Sequence, residues 1–246
     1  MNKAKRAWCV TVLALAAAAL AAETAQEIAR EVDRRDAAGG SSMAFAMTID
    51  SGDGSKPREY AITSLENDAG DSLLEFAEPR AVKGMRILSV GNGSWAFFPS
   101  TGRVRKIGGA ARSGSVQGIG GDFSYDDLGG GALADDYRFT LASETDKEWV
   151  LDGARSNDDA AYDAVRITVL KDGYLMSRAE FSLASKGGFY KVLDLADFRD
   201  YGGRVRASSL TMRNLKSGSS TVVRLLEARF DLAVDPSRFD PARLAR

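Results

Sequence analysis

From residue 41 onward, apolar side chains recur at every second position, and this alternation restricts most of the chain to β-structure. The first stretch carries its large apolar side chains at Met43, Phe45, Met47 and Ile49, with small or polar residues between them. A period of two places successive side chains on opposite faces of a strand. Short turn sequences separate the stretches: Gly91-Asn92-Gly93, Lys171-Asp172-Gly173, Lys186-Gly187-Gly188, Tyr201-Gly202-Gly203 and Ser217-Gly218-Ser219. The pattern predicts a sequential antiparallel meander rather than a βαβ fold.

The predicted strands follow one another without an interruption that would divide the chain. The first begins at Ser41 and ends before the turn at Asp50, and a return strand passes through Tyr60 and Ile62. Further strands are predicted near residues 71–78, 84–90, 93–99, 102–108, 137–143, 147–152, 161–170, 174–184, 188–197, 204–213 and 220–232. A flat meander of this length would leave long exposed edges, so we expect it to roll into a barrel or an incomplete barrel.

The only long helix is predicted at the start of this meander, and short helical turns are predicted at its end. A helix from Ala22 to Ala37 carries a thin apolar stripe made of Ala25, Ile28, Ala29 and Val32. Thr24 and Glu27 fit a capping box, and Gly39-Gly40 ends the helix. In the tail, Asp235-Pro236 and Asp240-Pro241 each place an N-cap residue before a proline, so short helical turns are expected there, with Phe239 and Leu244 packed inward.

The N-terminal residues have the pattern of an export signal. Lys3, Lys5 and Arg6 precede an apolar run from residue 7 to residue 20, and Ala19-Leu20-Ala21 offers a cleavage site. We therefore expect a signal peptide at 1–21 and one domain at 22–246; an uncleaved membrane anchor is the alternative. Cys9, the single cysteine, would leave with the signal, so no disulfide is expected in the mature chain.

Composition excludes several function classes. The chain has no histidine, which removes Ser-His-Asp and Cys-His catalysis and the commonest transition-metal ligand. Loss of three positive charges with the signal would change the formal net charge from −1 to −4, which argues against nucleic acid as a partner. The glycine-rich stretch after residue 108 matches no nucleotide-binding loop, and Asp122, Asp126 and Asp127 do not have calcium-loop spacing. A carboxylate pair for glycoside hydrolysis is weak evidence among 34 acidic residues. We expect a protein without enzymatic activity, cofactor or metal.

Five motifs in a fixed order give the most specific signal. They are Val82-Lys83-Gly84-Met85-Arg86-Ile87-Leu88-Ser89, Trp95-Ala96-Phe97-Phe98-Pro99, Arg103-Val104-Arg105-Lys106-Ile107, Arg112-Ser113-Gly114-Ser115 and Gly121-Asp122-Phe123-Ser124-Tyr125-Asp126-Asp127-Leu128. This order resembles the outer membrane lipoprotein-sorting (LolA-like) family, in which the last motif reads DFSYEDL, with glutamate where this chain has Asp126. The resemblance implies a mainly β, single-domain antiparallel half-open barrel, with an N-terminal helix and short lid helices on its concave side. It also implies a periplasmic monomer that holds lipid.

Three sets of residues are candidates for such a role. The candidate cavity residues are Met43, Phe45, Met47, Met85, Ile87, Trp95 and Phe97. The candidate lid residues are Phe123, Tyr125 and Leu128, and Ser124 or Asp122 is expected to cap a short helical turn beside them. The candidate contacts for a lipid headgroup or an acidic partner are Arg103, Arg105, Lys106 and Arg112. Plain core packing and a solvated strand face remain the alternatives for the apolar and basic sets.

Alternation also predicts two apolar faces in the strands between residues 72 and 98. We expect Trp95, Phe97, Met85, Ile87 and Leu73 on one face, and Phe98, Leu88, Val90, Leu74 and Phe76 on the other.

Two functions follow as hypotheses. The first is a carrier of lipid or of lipoprotein acyl chains, with an inner-membrane exporter of the RND/MMPL type and an outer-membrane acceptor as partners. The second is an envelope adaptor that docks on a membrane complex and carries nothing.

Overall fold

The computed structural model describes residues 25–37, 39–108, 111–129, 132–158 and 160–246. Within them the long first helix, α1, covers residues 25–36. The first eight strands are β1 (Ser41–Asp50), β2 (Arg58–Glu66), β3 (Ser72–Glu78), β4 (Arg86–Val90), β5 (Gly93–Phe98), β6 (Arg103–Ile107), β7 (Ser115–Val116) and β8 (Gly120–Ser124). Two short helices follow, α2 (Tyr125–Gly129) and α3 (Leu133–Asp136). The remaining strands are β9 (Tyr137–Glu144), β10 (Glu148–Arg155), β11 (Ala164–Leu170), β12 (Leu175–Leu183), β13 (Gly188–Asp200), β14 (Val205–Asn214) and β15 (Ser220–Arg229).

Thirteen of these strands form one antiparallel sheet. Their order is β6-β5-β4-β3-β2-β1-β15-β14-β13-β12-β11-β10-β9, and β7 and β8 pair separately. The first and last strands, β1 and β15, meet in the middle, for example at Met47 opposite Val223. The two edges are β6 and β9, and they do not pair with each other among the described residues. The fold is therefore the mainly β, open and unclosed form that the sequence predicts.

The sheet curls around helix α1. The predicted stripe of Ala25, Ile28, Ala29 and Val32 is buried. These side chains join one apolar cluster that includes Ile87 and Ala96 near one edge of the sheet and Phe139 and Leu151 near the other. Side chains near the two opposite edges can pack in one cluster only if the sheet bends towards them, so the face that carries this cluster is concave. We call this the inner face.

The segment between the two edge strands crosses the inner face. Strands β6 and β9 form the opposite edges of the large sheet. No other strand of that sheet lies between them in the amino-acid sequence. The chain from residue 108 to residue 136, which carries β7, β8, α2 and α3, must therefore run from one edge to the other. We call it the crossing segment. Its strand β8 contacts β1, β14 and β15, its helix α2 contacts β3 and β4, and α3 contacts β9.

The C-terminal tail covers part of the outer face. Pro236–Phe239 and Pro241–Arg243 form short 3₁₀ turns, capped by the Asp235 and Asp240 side chains as the sequence predicts. Phe239 and Leu244 are buried with Leu73 and Leu88 in a second cluster, separate from the inner one.

The predicted grouping of faces in β3, β4 and β5 is wrong. Leu88 lies opposite Trp95, and Ile87 lies opposite Ala96. Trp95 and Phe97 therefore pack on the outer cluster, whereas Met85 and Ile87 are buried in the inner one. Leu74, Phe76 and Phe98 share the inner face with them, and Leu73, Leu88 and Val90 lie outside. The reason is the two-residue turn between Val90 and Gly93, which pairs even-numbered residues of one strand with odd-numbered residues of the next.

The tail packing predicts a large effect of one substitution. Phe239→Ala should lower the free energy of unfolding by about 3 kcal/mol, because it leaves a cavity against Leu88 in the outer cluster. Phe189→Ala, at a phenylalanine that is 40% exposed, is the control and should cost less than about 1 kcal/mol. Urea unfolding of the two variants measures both values. Equal costs would show that the tail does not stabilise the sheet.

Candidate functional site

The inner face is apolar and lies beneath the crossing segment. Phe123 and Tyr125, two of the predicted lid residues, are buried in the inner cluster, and Leu128 is half-buried against it. The backbone N–H of Gln117 donates to the hydroxyl of Tyr125 at 3.0 Å. The three side chains therefore do cover the inner face, as a packed part of the core. The hairpin β7–β8 that carries Phe123 was not predicted from the sequence.

A glycine allows the crossing segment to approach the sheet closely. Gly121 has φ +79°, and a Cβ atom there would lie 2.8 Å from Cδ1 of Ile49 and 3.0 Å from Oγ1 of Thr221. A side chain at this position would collide with β1 and β15, and the left-handed backbone adds to the strain. Gly121 thus fixes how near β8 lies to the middle of the sheet.

A buried lysine holds the crossing segment to strand β13. Lys191 is 3% exposed, and its Nζ donates to Oδ2 of Asp127 at 2.6 Å and to the carbonyl oxygen of Asp122 at 2.9 Å. The hydroxyl of Tyr162 donates to Oδ1 of Asp127 at 2.8 Å. Burial, followed by the Asp127 carboxylate, raises the pKa of Tyr162, so this phenol stays a donor. One carboxylate thus links the crossing segment to β13 and to the segment before β11.

Local caps complete this attachment. Ser124 caps α2: its Oγ accepts the N–H of Asp127 at 3.2 Å, and the Asp127 carboxylate accepts the N–H of Ser124 at 2.7 Å. Asp122 bonds instead to the start of β15 and the turn before it, where its carboxylate accepts from the hydroxyls of Thr221 and Ser219. Of the two predicted capping residues, Ser124 is therefore the cap.

Helix α1 holds the other end of the crossing segment. The Gln26 side chain donates to the carbonyl oxygens of Ala134 and Tyr137 and accepts the N–H of Phe139. The Asp33 carboxylate accepts the N–H groups of Leu133 at 3.0 Å and Ala134 at 2.7 Å. Burial raises the pKa of Asp33 to about 6, although both hydrogen bonds act in the opposite direction.

An open apolar groove remains at one end of the inner face. It has a volume of about 220 Å³, and its lining is mostly apolar. The lining residues are Asp36, Met43, Phe45, Leu175, Met176, Leu195, Phe198, Val205, Arg206, Ala207, Leu210 and Leu225. Asp36 and Arg206 form an ion pair of 3.5 Å at its rim. Burial raises the pKa of Asp36 and lowers the pKa of Arg206.

The seven candidate cavity residues fall into three groups. Met43 and Phe45 line the groove. Met47, Met85 and Ile87 are buried in the inner cluster beneath the crossing segment. Trp95 and Phe97 lie on the outer face and do not belong to this site, because the register of β4 and β5 places them opposite Leu88 and Arg86.

The four candidate basic residues do not form one patch. Arg103 and Arg105 lie on edge strand β6, where Arg105 is 3.4 Å from Oε1 of Gln117. Lys106 lies over the Trp95 ring on the outer face. Arg112 lies within the crossing segment and pairs with Asp126 at 2.7 Å. Their role in headgroup or partner contact stays a prediction.

Several residues of the site were not singled out from the sequence. Lys191 carries a detectable signal, because it is a lysine inside the apolar run Phe189-Tyr190-Lys191-Val192-Leu193. Gln26 and Asp33 carry none, since their partners lie 100 or more residues away in the chain. No three His, Cys, Asp or Glu side chains of the described residues are grouped so as to hold a metal ion. None of the helices in the described ranges is long and apolar enough to span a membrane.

The Lys191–Asp127 pair leads to a prediction about coupled substitutions. Lys191→Met should lower the free energy of unfolding by about 3–5 kcal/mol, because it leaves the Asp127 carboxylate buried without its cation. Asp127→Asn in the Lys191→Met background should recover part of this loss, and urea unfolding measures both. Additive costs would contradict a direct interaction.

The raised pKa of Asp33 leads to a prediction about pH. A carboxyl group whose pKa is higher in the folded than in the unfolded protein stabilises the fold most at low pH. That contribution is lost as the pH rises from about 4 to about 6. The difference in unfolding free energy between the wild type and Asp33→Asn should therefore fall by about 2 kcal/mol between pH 4 and pH 7.

Urea unfolding across this pH range measures the difference. Asp53→Asn is the control, because a side-chain hydrogen bond from Ser55 lowers the pKa of Asp53 and the change should have the opposite sign. A difference independent of pH would contradict the buried ionisation of Asp33.

Comparison with known proteins places this architecture in a family. A family model described as "Uncharacterized protein" matches residues 68–246, more than half of the chain. No curated protein matches the chain. A domain described as an outer membrane lipoprotein-sorting protein domain, from Vibrio parahaemolyticus, is 27% identical with a TM-score of 0.80, over 92% of this chain and 100% of that one.

Two further structures share the fold. A DUF1329 family protein from Desulfovibrio piger has a TM-score of 0.81 at 21% identity, over 91% of this chain and 99% of its own. A LolA superfamily protein from Nitrosomonas europaea has a TM-score of 0.73 at 22% identity, over 88% of this chain and 97% of its own. The family match, the five colinear motifs and the open sheet with its crossing segment agree, and the chain belongs to the LolA-like family of outer membrane lipoprotein-sorting proteins.

Proposed function

We propose that this protein is a periplasmic carrier that binds lipid, or the acyl chains of lipoproteins, against the inner face of its sheet. The LolA-type fold supports a carrier-type role in the cell envelope, and it is not the fold of an enzyme family. The observation that carries the proposal is the apolar inner face, which is covered by the crossing segment instead of a second sheet. The groove lined by Met43 and Phe45 gives this face an opening.

The size of the groove determines how binding would proceed. Its volume of about 220 Å³ is smaller than the roughly 300–1,000 Å³ of most small-molecule pockets. An acyl chain would therefore enter at the groove and displace side chains of the crossing segment from the inner face. Methionines at the entrance suit this step, because the thioether side chain adapts to irregular and flexible partners.

The free energy gained by burying an acyl chain is comparable to the free energy lost by releasing part of the crossing segment. Each buried CH₂ group contributes roughly 0.8 kcal/mol, so about eight of them contribute roughly 6 kcal/mol. The crossing segment is held by hydrogen bonds worth about 1 kcal/mol each between neutral groups and about 1.5–3 kcal/mol each where one partner is charged. The contacts of Lys191 near the middle of the segment and of Asp33 at its end account for several of them. Bound hydrocarbon can thus offset partial release of the segment without unfolding the sheet.

The partners that we propose are an inner-membrane exporter as donor and an outer-membrane acceptor, as the family resemblance implies. Edge strand β6 supports a protein contact, because among the described residues no strand pairs with its outer side, and because it carries Arg103 and Arg105. An exposed strand edge can accept a further strand from a partner.

Blocking the groove tests the carrier function. Ala207→Trp should fill the groove without adding charge, and it should weaken binding of a fluorescent fatty-acyl probe by tenfold or more. Ala207→Ser is the matched control and should bind as the wild type does. Fluorescence titration of the purified mature protein gives the dissociation constants, and native mass spectrometry shows co-purifying lipid.

Two results would contradict the proposal. Equal probe affinity of Ala207→Trp and the wild type would show that the groove is not the entrance. A wild-type protein that binds no probe and carries no lipid, yet pulls down a membrane complex through β6, would favour the adaptor function.

A further inference from the structure

A second cavity, polar in character, opens at the far end of the inner face from the apolar groove. It has a volume of about 410 Å³ and lies between the β12–β13 turn, the β14–β15 turn and the β7–β8 hairpin. Its lining includes Lys186, Lys191, Lys216, Asn214, Ser115 and Ser217. The groove lies near the end of β13 at Phe198, whereas this cavity lies near its beginning at Lys191. Apart from Lys191, which holds the crossing segment, none of these residues takes part in the proposed carrier function.

The polar groups of this cavity are mainly donors. Nζ of Lys191 donates to Asp127 and to the carbonyl oxygen of Asp122, and it also lies over the rings of Tyr162, Phe181 and Tyr190. The side-chain oxygen of Asn214 accepts the N–H groups of Lys216 and Ser217. This leaves the NH₂ group of the amide as the part able to donate.

The charge of the cavity favours an anion. Lys186 and Lys216 are exposed at its mouth, and neither forms an ion pair with any described residue. The one carboxylate in the lining, that of Asp122, already accepts hydrogen bonds from Ser219 and Thr221. The two exposed ammonium groups and the amide donor of Asn214 match a phosphate-type ligand.

Large apolar side chains beside the same cavity point to a bilayer as the source of that phosphate. Leu215 is 59% exposed and Phe189 is 40% exposed. Among the described residues, only Leu226 is a further large apolar side chain that is exposed. Leu215 and Phe189 lie at the same end of the neighbouring strands β13 and β14, because the backbone N–H of Leu215 donates to the carbonyl oxygen of Tyr190, the residue after Phe189. The Phe189 ring also lies 5.8 Å from the guanidinium of Arg166. A soluble phosphoester would account for the lysines but not for exposed leucine and phenylalanine beside them.

We infer that this rim docks on an anionic phospholipid surface, with a lipid phosphate in the polar cavity and Leu215 and Phe189 in the interfacial layer. Basic side chains beside exposed apolar ones are the combination that binds such surfaces, since each adds to the membrane affinity independently. The inference goes beyond lipid carriage: a protein that carries no acyl chain could still dock in this way, and blocking the groove would leave docking unchanged.

Vesicle co-sedimentation of the purified mature chain tests it. The wild type should bind vesicles made of equal parts phosphatidylglycerol and phosphatidylcholine, and it should bind pure phosphatidylcholine vesicles much more weakly. Lys186→Gln with Lys216→Gln should weaken binding to the anionic vesicles by about 30-fold, since each lysine near an anionic surface contributes a factor of about five. Leu215→Ser should weaken it by about tenfold.

Matched controls exist for both changes. Lys56→Gln with Lys83→Gln removes two exposed lysines elsewhere, and Leu226→Ser changes a leucine that is also 59% exposed. Both should bind the anionic vesicles as the wild type does. All the altered side chains are exposed, and circular dichroism should show the same fold in every variant.

Three results would overturn the inference. Equal binding to neutral and anionic vesicles would remove the role of lipid phosphate. Wild-type affinity of the rim variants, or equal losses in the controls, would remove the role of this rim. Absence of vesicle binding, together with loss of inorganic phosphate binding in the lysine variant by NMR titration, would identify a site for a soluble phosphate instead.

Discussion

The strands at the two edges of the large sheet, β6 and β9, follow one another in the chain with no other strand of that sheet between them, so the segment that joins them has to cross the concave face. The cover of the inner face is thus a consequence of strand order. Lys191 and Asp127 fix the crossing segment near its middle, and Gln26 and Asp33 of helix α1 fix its end. The apolar interior depends on these contacts, because without them the inner side chains would face water.

The two apolar faces of the sheet are covered by different parts of the chain. The outer cluster is closed by the chain's own C-terminal turns through Phe239 and Leu244. The inner cluster is closed by a helix and by the crossing segment, and it remains open at the groove beside Met43. A polar, lysine-lined cavity lies at the other end of the same face. An apolar opening and a cationic opening at opposite ends suit a protein that handles amphiphilic molecules.

Much of the fold could be predicted from the sequence, because its turns are marked by glycine, asparagine and aspartate. The predicted strands near 71–78, 137–143 and 204–213 differ from β3, β9 and β14 by a residue or so at each end. Alternation alone placed Trp95 and Phe97 on the wrong face of the sheet. The two-residue turn at Gly91-Asn92 determines which residues of β4 and β5 lie opposite each other, and therefore determines this face.

The rest depends on contacts between distant parts of the chain. Lys191 and Asp127 are 64 residues apart, and no local pattern pairs them. The hairpin β7–β8 is too short and too rich in glycine for alternation to reveal it. The groove exists because β1, β12, β13 and β14 converge beside the end of α1, and alternation along single strands cannot show such convergence.

We propose that the hydrocarbon of an acyl chain replaces the crossing segment on the inner face while the sheet stays intact. Hydrogen exchange of the backbone amides, followed by mass spectrometry with and without a saturating fatty-acyl probe, distinguishes the two parts of the fold. With the probe bound, exchange should become faster in β8 and α2 and stay unchanged in β1, β14 and β15. Slower or unchanged exchange in β8 and α2, with the probe demonstrably bound, would contradict it.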